Sequence, residues 1–245
     1  MVPYGAQPRA LDELGPMVKI AARNWPLLDR LANMPTPLDA ERHDLVTTLR
    51  GAGPTAPTLC TGWDARTLLA HLIRRERSPL ELIARARVPG IAGPAEEAME
   101  SYAKSHSFSD MLTTFDSGPP FYSVFGFGPT REALNLLEYV IHHEDVRRAV
   151  GQAAPRVLDQ ERERAVLRRL RAFARFTMRS SPVSVQFRTP DGASFRAGDG
   201  GRAVVVTGRP VELALVAFGR QRVAEVDYSG PEEAIAALVE AKLGT

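Results

Sequence analysis

Glu138 and His142 stand four residues apart in "NLLEYVIHHEDVRRA", and His71 lies far upstream in "TLLAHLIRRER". At 100° per residue, Leu134, Leu137, Glu138, Ile141, His142 and Asp145 fall within one arc of roughly 140°. His143 falls nearly opposite Leu134. Glu138 and His142 are therefore one helical turn apart, at the border of an apolar face. An unpaired carboxylate in such a place costs several kcal/mol, and a divalent cation is one partner that would satisfy it together with the imidazole. A Glu–His pair at this spacing is often only a hydrogen-bonded pair. His71, beside Leu68 and Leu72, also reads as a satisfied core histidine. Two histidines and a carboxylate on two helices of one bundle favour the cation. A His₂Glu set leaves at least one coordination position open, as catalytic zinc sites do, and the same donors suit iron, nickel or manganese. His43 and Asp145 are candidates for a fourth or supporting group. His106 sits in a polar stretch and is assigned no role.

The totals narrow the field. The chain has 245 residues, 44% hydrophobic and 24% charged, ordinary figures for a globular protein and room for one large domain or two small ones. With 31 basic against 29 acidic residues the net charge is +2, too balanced to argue for nucleic acid from bulk charge. Only Lys19, Lys104 and Lys242 are lysine; the other basic residues are arginine. The single cysteine, Cys60, excludes an intramolecular disulfide and a cysteine-based zinc cluster, so any metal site must use His, Asp and Glu. No window is apolar enough for a membrane helix, and the first residues lack a secretory pattern. A cytoplasmic location is the expectation.

Elements follow from local signals. Residues 1–36 read as an N-terminal extension with a weak helical pattern around Leu11–Asn33. From Pro37, "TPLDAERHDLVTTLRGAG" carries start and stop signals of a helix. Asp64 caps a second helix from Ala65 to about Arg77, expected to resume through Arg87. "VPGIAGP" reads as a loop, Phe108–Ser117 as a short helix, and "PPFYSVFGFGP" as an aromatic, glycine-rich loop. The helix "TREALNLLEYVIHHEDVRRAV" takes Thr130 as N-cap with Glu132 in its first turn. Another helix, "LDQERERAVLRRLRAFARFTMRSS", is ended by Pro182. Beyond it "VSVQFRT" and "RAVVVTG" read as strands around a "PDG" turn, then helix "PVELALVAFG", strand "RVAEVDY" and helix "PEEAIAALVEAKL". The fold class is mainly α with an α+β tail: a helical domain over 37–180 and a small α+β domain over 181–245.

"LCTGWDARTLLAHL" and "NLLEYVIHHEDVRRA" resemble the actinobacterial metal-binding branch of the DinB-like superfamily, which includes the mycothiol-dependent maleylpyruvate isomerases. That pattern is a Gly-Trp loop before a helix with one ligand histidine, then a helix with Glu-x-x-x-His followed closely by Asp. Here it falls on Gly62-Trp63, His71, Glu138, His142 and Asp145. The likeness spans about residues 37–230, and "GPTAPTLC", "SGPP" and "ELALVAFGRQ" look like a subgroup known only as metal-binding. The resemblance implies a DinB-like four-helix bundle with a divalent metal, zinc first, at one end. It also implies a small C-terminal domain whose arginine approaches the site, and "FGR" puts Arg220 there. An ordinary surface arginine is the other reading of that position.

In those relatives the thiol mycothiol supplies a nucleophile that the metal activates, and substrate carboxylates need a bidentate cation, for which Arg220, Arg75 and Arg148 are candidates. The implied function is a mycothiol-dependent isomerase or S-transferase acting on a small organic substrate. The alternative is a non-enzymatic metal-binding protein, a sensor or store. A nucleic-acid binder using the stripe Arg164, Arg168, Arg171, Arg175 and Arg179 is third; such stripes are usually solvated faces with their stems over apolar surface. A homodimer is left open. Cys60 reads as structural, since one loop cysteine without a defined base is a poor nucleophile. The aromatic loop either walls a substrate pocket or packs the two domains together. Replacing His71, Glu138 or His142 by Ala is expected to abolish stoichiometric metal in the purified protein, and replacing His143 to leave it unchanged. Elemental analysis checks both, and retention of metal by all three Ala variants refutes the ligand set.

Overall fold

Helix α1 (Pro37–Ala52) opens with a proline, whose missing N–H is one that a helix start leaves unused anyway. It has Asp39 in the first turn and Arg50 in the last. Gly53 closes it at φ 83°, the left-handed conformation that glycine adopts without penalty. Helix α2 (Ala65–Arg77) is capped by Asp64, whose carboxylate accepts from Thr67 N at 2.8 Å. Helices α3 (Ala92–Ser105), α4 (Phe108–Asp116), α5 (Gly128–Arg147) and α6 (Gln160–Thr177) follow. The computed structural model describes residues 35–78, 92–150 and 153–244. The helical stretch expected around Leu11–Asn33 and the continuation through Arg87 lie outside the described residues. Residues 37–245 form one compact unit, separate from residues 1–36.

Three local expectations are corrected. The loop read into "VPGIAGP" yields at Ala92 to helix α3. Pro94 falls in the first turn, where proline is tolerated, and the Ala, Glu and Met that follow are strong helix formers. Thr130 does not cap α5. The N-cap is Phe127, and the Thr130 hydroxyl donates to Val124 O at 2.6 Å. No acidic residue occupies that first turn; Glu132 lies beyond it and pairs with Arg168 and Arg169 of α6 at 3.0 and 3.1 Å. Helix α6 stops at Thr177, before Pro182 is reached, with Met178 as C-cap.

The C-terminal part contains a four-stranded sheet in the order β2-β1-β3-β4, with β1 Ser184–Arg188, β2 Ser194–Ala197, β3 Ala203–Thr207 and β4 Asp227–Ser229. The "PDG" turn leads into β2, a strand the sequence reading passed over, and β3 returns parallel to β1 with Val185 opposite Val204 and Phe187 opposite Val206. These four residues are buried, which puts one face of the pleat against the helices. Helix α7 (Pro210–Ala217), buried along its whole length, connects β3 to β4, and α8 (Glu232–Glu240) closes the order. Of "RVAEVDY" only the last two residues pair as strand. Among the described residues no helix is long and apolar enough to cross a membrane.

One apolar core runs from α1, α2 and α5 through α6 into the sheet and α7. Buried charges tie it together. Arg42 of α1 pairs with Glu76 of α2 at 2.8 Å, its guanidinium 4.5 and 4.7 Å from the Phe115 and Tyr139 rings. Arg156, after α5, reaches Glu41 of α1 at 2.7 Å and Glu144 of α5. Arg148 clasps Glu212 of α7 at 2.6 Å and donates to Val223 O. Burial would raise the Glu41 carboxyl, but the hydrogen bond with His143 and the charge of Arg156 outweigh it and hold it below its usual value. That stabilisation is present above about pH 4.5, the unfolded carboxyl's value, and is lost as pH falls through the lowered one. Arg156→Met is expected to cost roughly 3–5 kcal/mol at neutral pH, with the cost shrinking on acidification. Urea unfolding across that range tests it; a cost that grows as pH falls would contradict the assignment.

Candidate metal centre

Helices α2 and α5 bring the three expected ligands together. His71 Nε2 and His142 Nε2 each lie 3.4 Å from Glu138 Oε1, and the donor atoms all fall within 4.8 Å of one another. Bonds of about 2.0–2.1 Å to a tetrahedral zinc put neighbouring donors roughly 3.3–3.4 Å apart, so the Glu138 contacts match the edges of such a polyhedron. Both histidines are buried and Glu138 nearly so. The Trp63 ring packs 4.8 Å from the His71 ring and fixes its tilt.

The two donors on α5 are held from behind. His142 Nδ1 donates to Asp145 Oδ2 at 2.9 Å, which turns Nε2 toward Glu138, the arrangement that orients metal-binding histidines. The chemistry of this donor set fits a divalent cation. Arg75 stands one turn beyond His71, with its Nε 3.5 Å from Glu138 Oε1, and donates to Asn135 Oδ1 at 2.7 Å and to Leu134 O. The Phe125 ring covers this guanidinium at 4.4 Å.

Asp145 is fully buried and takes a two-pronged bond from Arg220, Nε to Oδ1 at 2.9 Å and Nη2 to Oδ2 at 2.7 Å. Burial would raise its carboxyl, but the hydrogen bonds from His142 and Arg220 bring it down to about 2. Burial likewise disfavours charge on His142, yet its bonds to Asp145, Cys60 and Glu138 push it well above the usual imidazole value. Cys60 Sγ lies 3.2 Å from Asp145 Oδ2 and 3.7 Å from His142 Nδ1, on the side of that ring away from Glu138.

The other expected residues go elsewhere. His43 is exposed on α1. His143 is buried on the opposite side of α5, bonded to Glu41 at 2.9 Å and Thr48 at 2.8 Å. Arg148 is consumed by Glu144 and Glu212. In the arginine stripe, Arg168 pairs with Glu132, Arg171 lies over Phe195, and Arg179 lies over Phe176.

A cavity of about 340 Å³ borders Glu138 and His142; Arg75 and Arg220 also line it, with Leu137, Phe173, Phe176 and Phe218. The aromatic loop does not line it: Phe121 and Tyr122 are exposed, and Phe125 packs on Arg75. Phe173 and Thr177 of α6 line the cavity without any sequence signal, because a helix face that turns both into a core and toward a cavity has no separate pattern.

The family model of the mycothiol maleylpyruvate isomerase N-terminal domain matches residues 36–194. The chain belongs to this family. Two solved structures match this member of the mycothiol maleylpyruvate isomerase family. A crystal structure of a His-to-Ala mutant of the mycothiol-dependent maleylpyruvate isomerase has TM-score 0.53 and 15% identity, covering 79% of this chain and 90% of that one. The structure of the isomerase without that mutation has TM-score 0.45 and 17% identity over the same shares. The first establishes a shared DinB-like fold, the bundle followed by the small sheet. No curated protein matches the chain.

The Asp145–Arg220 pair generates a prediction of its own. Arg220→Met strands a buried carboxylate and is expected to cost roughly 3–5 kcal/mol. The double variant with Asp145→Asn should cost clearly less than the two single changes added together. Strict additivity in urea unfolding would mean that the pair does not act as a unit.

Proposed function

We propose that this chain is a divalent-metal-dependent enzyme that uses a low-molecular-weight thiol, mycothiol in the family's name, as an isomerase or S-transferase on a small organic substrate. The observation that carries the reading is the convergence of His71, Glu138 and His142 within 4.8 Å of one another, with Glu138 and His142 lining a cavity. His71 Nε2, the Glu138 carboxylate and His142 Nε2 would hold the cation, with zinc the best match to two imidazoles and a carboxylate and iron, nickel or manganese compatible. A bound cation supplies Lewis acidity that lets a thiol give up its proton near neutral pH.

The protein's own groups do the rest. Asp145 keeps the proton on His142 Nδ1 and thereby the direction of Nε2. Arg75 holds Glu138 in place from the α2 side. Arg220 positions Asp145 and lines the cavity, where its guanidinium meets a substrate oxygen; this is the catalytic role assigned to it. The apolar sides exclude water from the reacting atoms. A sensor or store would favour a closed ligand sphere, whereas Glu138 and His142 open on a cavity. A cytoplasmic location belongs to the same reading.

Two readouts test it. In a Trp25→Phe background, titrating zinc into chelator-treated protein is expected to change Trp63 emission with one equivalent, because Trp63 stacks on His71; His71→Ala should abolish the response. Mycothiol consumption with a reactive substrate should require the metal and fall at least about 100-fold in Glu138→Ala. Equal thiol consumption before and after chelation would sink the proposal.

A further inference from the structure

The cavity beside the donors is divided in its chemistry. Leu137 of α5, Phe173 and Phe176 of α6, and Phe218 after α7 make its apolar side. At the polar end, the charges that line it are already matched inside the protein. Arg220 is spent on Asp145 through both prongs of its guanidinium, with its third nitrogen on Phe218 O at 2.6 Å. Arg75 faces Glu138 and is held by Asn135 and Leu134 O, with Phe125 over its ring face. Each arginine thus has its carboxylate, and neither is left as a lone cation for a substrate anion. A bound cation would add positive charge, and a thiolate beside it would offset part of that.

Maleylpyruvate, named in the two solved relatives, carries two carboxylates. A dianion of that kind would set one of them against leucine and phenylalanine, where a charge without a partner costs several kcal/mol. Taking the cavity as the substrate site of the proposed function, we infer that its substrate is an uncharged conjugated carbonyl compound with an apolar ring body, not a dicarboxylate. A cavity of roughly 150 Å³ holds a benzene ring, so about 340 Å³ takes a substituted ring with its side chain. The ring would lie against Leu137 and the phenylalanines, and its carbonyl oxygen needs a single donor, the second Nη1 N–H of Arg220, the one not spent on Phe218 O. The reaction this suits is addition across the conjugated double bond. A C–S bond forms at the β carbon, the thiol's proton ends on the α carbon, and nothing is oxidised or reduced.

The test is a displacement assay with the neutral fluorophore N-phenyl-1-naphthylamine on the full chain. 4-Phenyl-3-buten-2-one is expected to displace it and maleate at millimolar concentration is not. Phe176 is 63% exposed, so Phe176→Glu is expected to fold and to weaken displacement by the aryl enone at least about tenfold, the effect of losing roughly 1.4 kcal/mol of contact. Maleate binding as tightly as the enone, or binding indifferent to Phe176→Glu, would overturn the inference. Repeating the assay on chelator-treated protein and on His71→Ala separates the two ideas. Enone binding that survives there, with no metal-dependent thiol consumption, removes the proposed enzyme and leaves the cavity's preference standing.

Discussion

A fully buried carboxylate, Asp145, carries more of this structure than its size suggests. It accepts from His142 and from Arg220, its backbone carbonyl accepts from Leu59 N at 3.0 Å, and Cys60 Sγ rests against its oxygen. One residue thus joins the loop before α2, the ligand-bearing helix α5 and the segment after α7. A carboxylate taken out of water is tolerated only when its charge and lone pairs are met, and here the meeting of those needs is what sets the direction of His142. Fold and site therefore share one interaction: the C-terminal part cannot leave the bundle without uncovering a charge beside the donor cluster.

The second ionic bond between these parts has the same logic at greater distance from the donors. Arg148 ends α5 and pairs with Glu212 at the start of α7, whose other contact is Glu225 N at 2.8 Å. Asp145 near the end of α5 and Arg148 three residues on face the C-terminal part, while His143 and Glu144 turn toward α1 and Arg156. One short polar run, "HHEDVRR", thereby glues a central helix to neighbours on two sides. Packing alone would leave these helices free to slide; pairs of fixed geometry do not.

Much of the donor set was legible because helical phase is a local property. Four-residue spacing put Glu138 and His142 on one face, and the capping aspartate before Ala65 set the phase of His71. That α2 and α5 would lie side by side came from the family resemblance, since no local signal reports it. What escaped was of two kinds. Helix ends obeyed backbone needs that composition does not display, as where Phe127 rather than Thr130 begins α5. Long-range polar pairings were the other: the resemblance brought Arg220 toward the site and Arg75 was a candidate for substrate carboxylates, but that they face Asp145 and Glu138 of the protein itself depends on how the fold sets α2, α5 and the segment after α7 together.

Helices α5 and α6 flank the cavity, one bringing Leu137 and Glu138, the other Phe173 and Phe176. In the first half of α5 they are held together by Glu132 gripping Arg168 and Arg169, groups partly in contact with solvent. Attractions of this sort fade as dissolved ions gather around them, over a reach of about 8 Å at physiological ionic strength. One tie between the two helices thus answers to the electrolyte around it, while the Asp145 carboxylate, out of contact with the medium, keeps its hold on His142 whatever salt is dissolved outside.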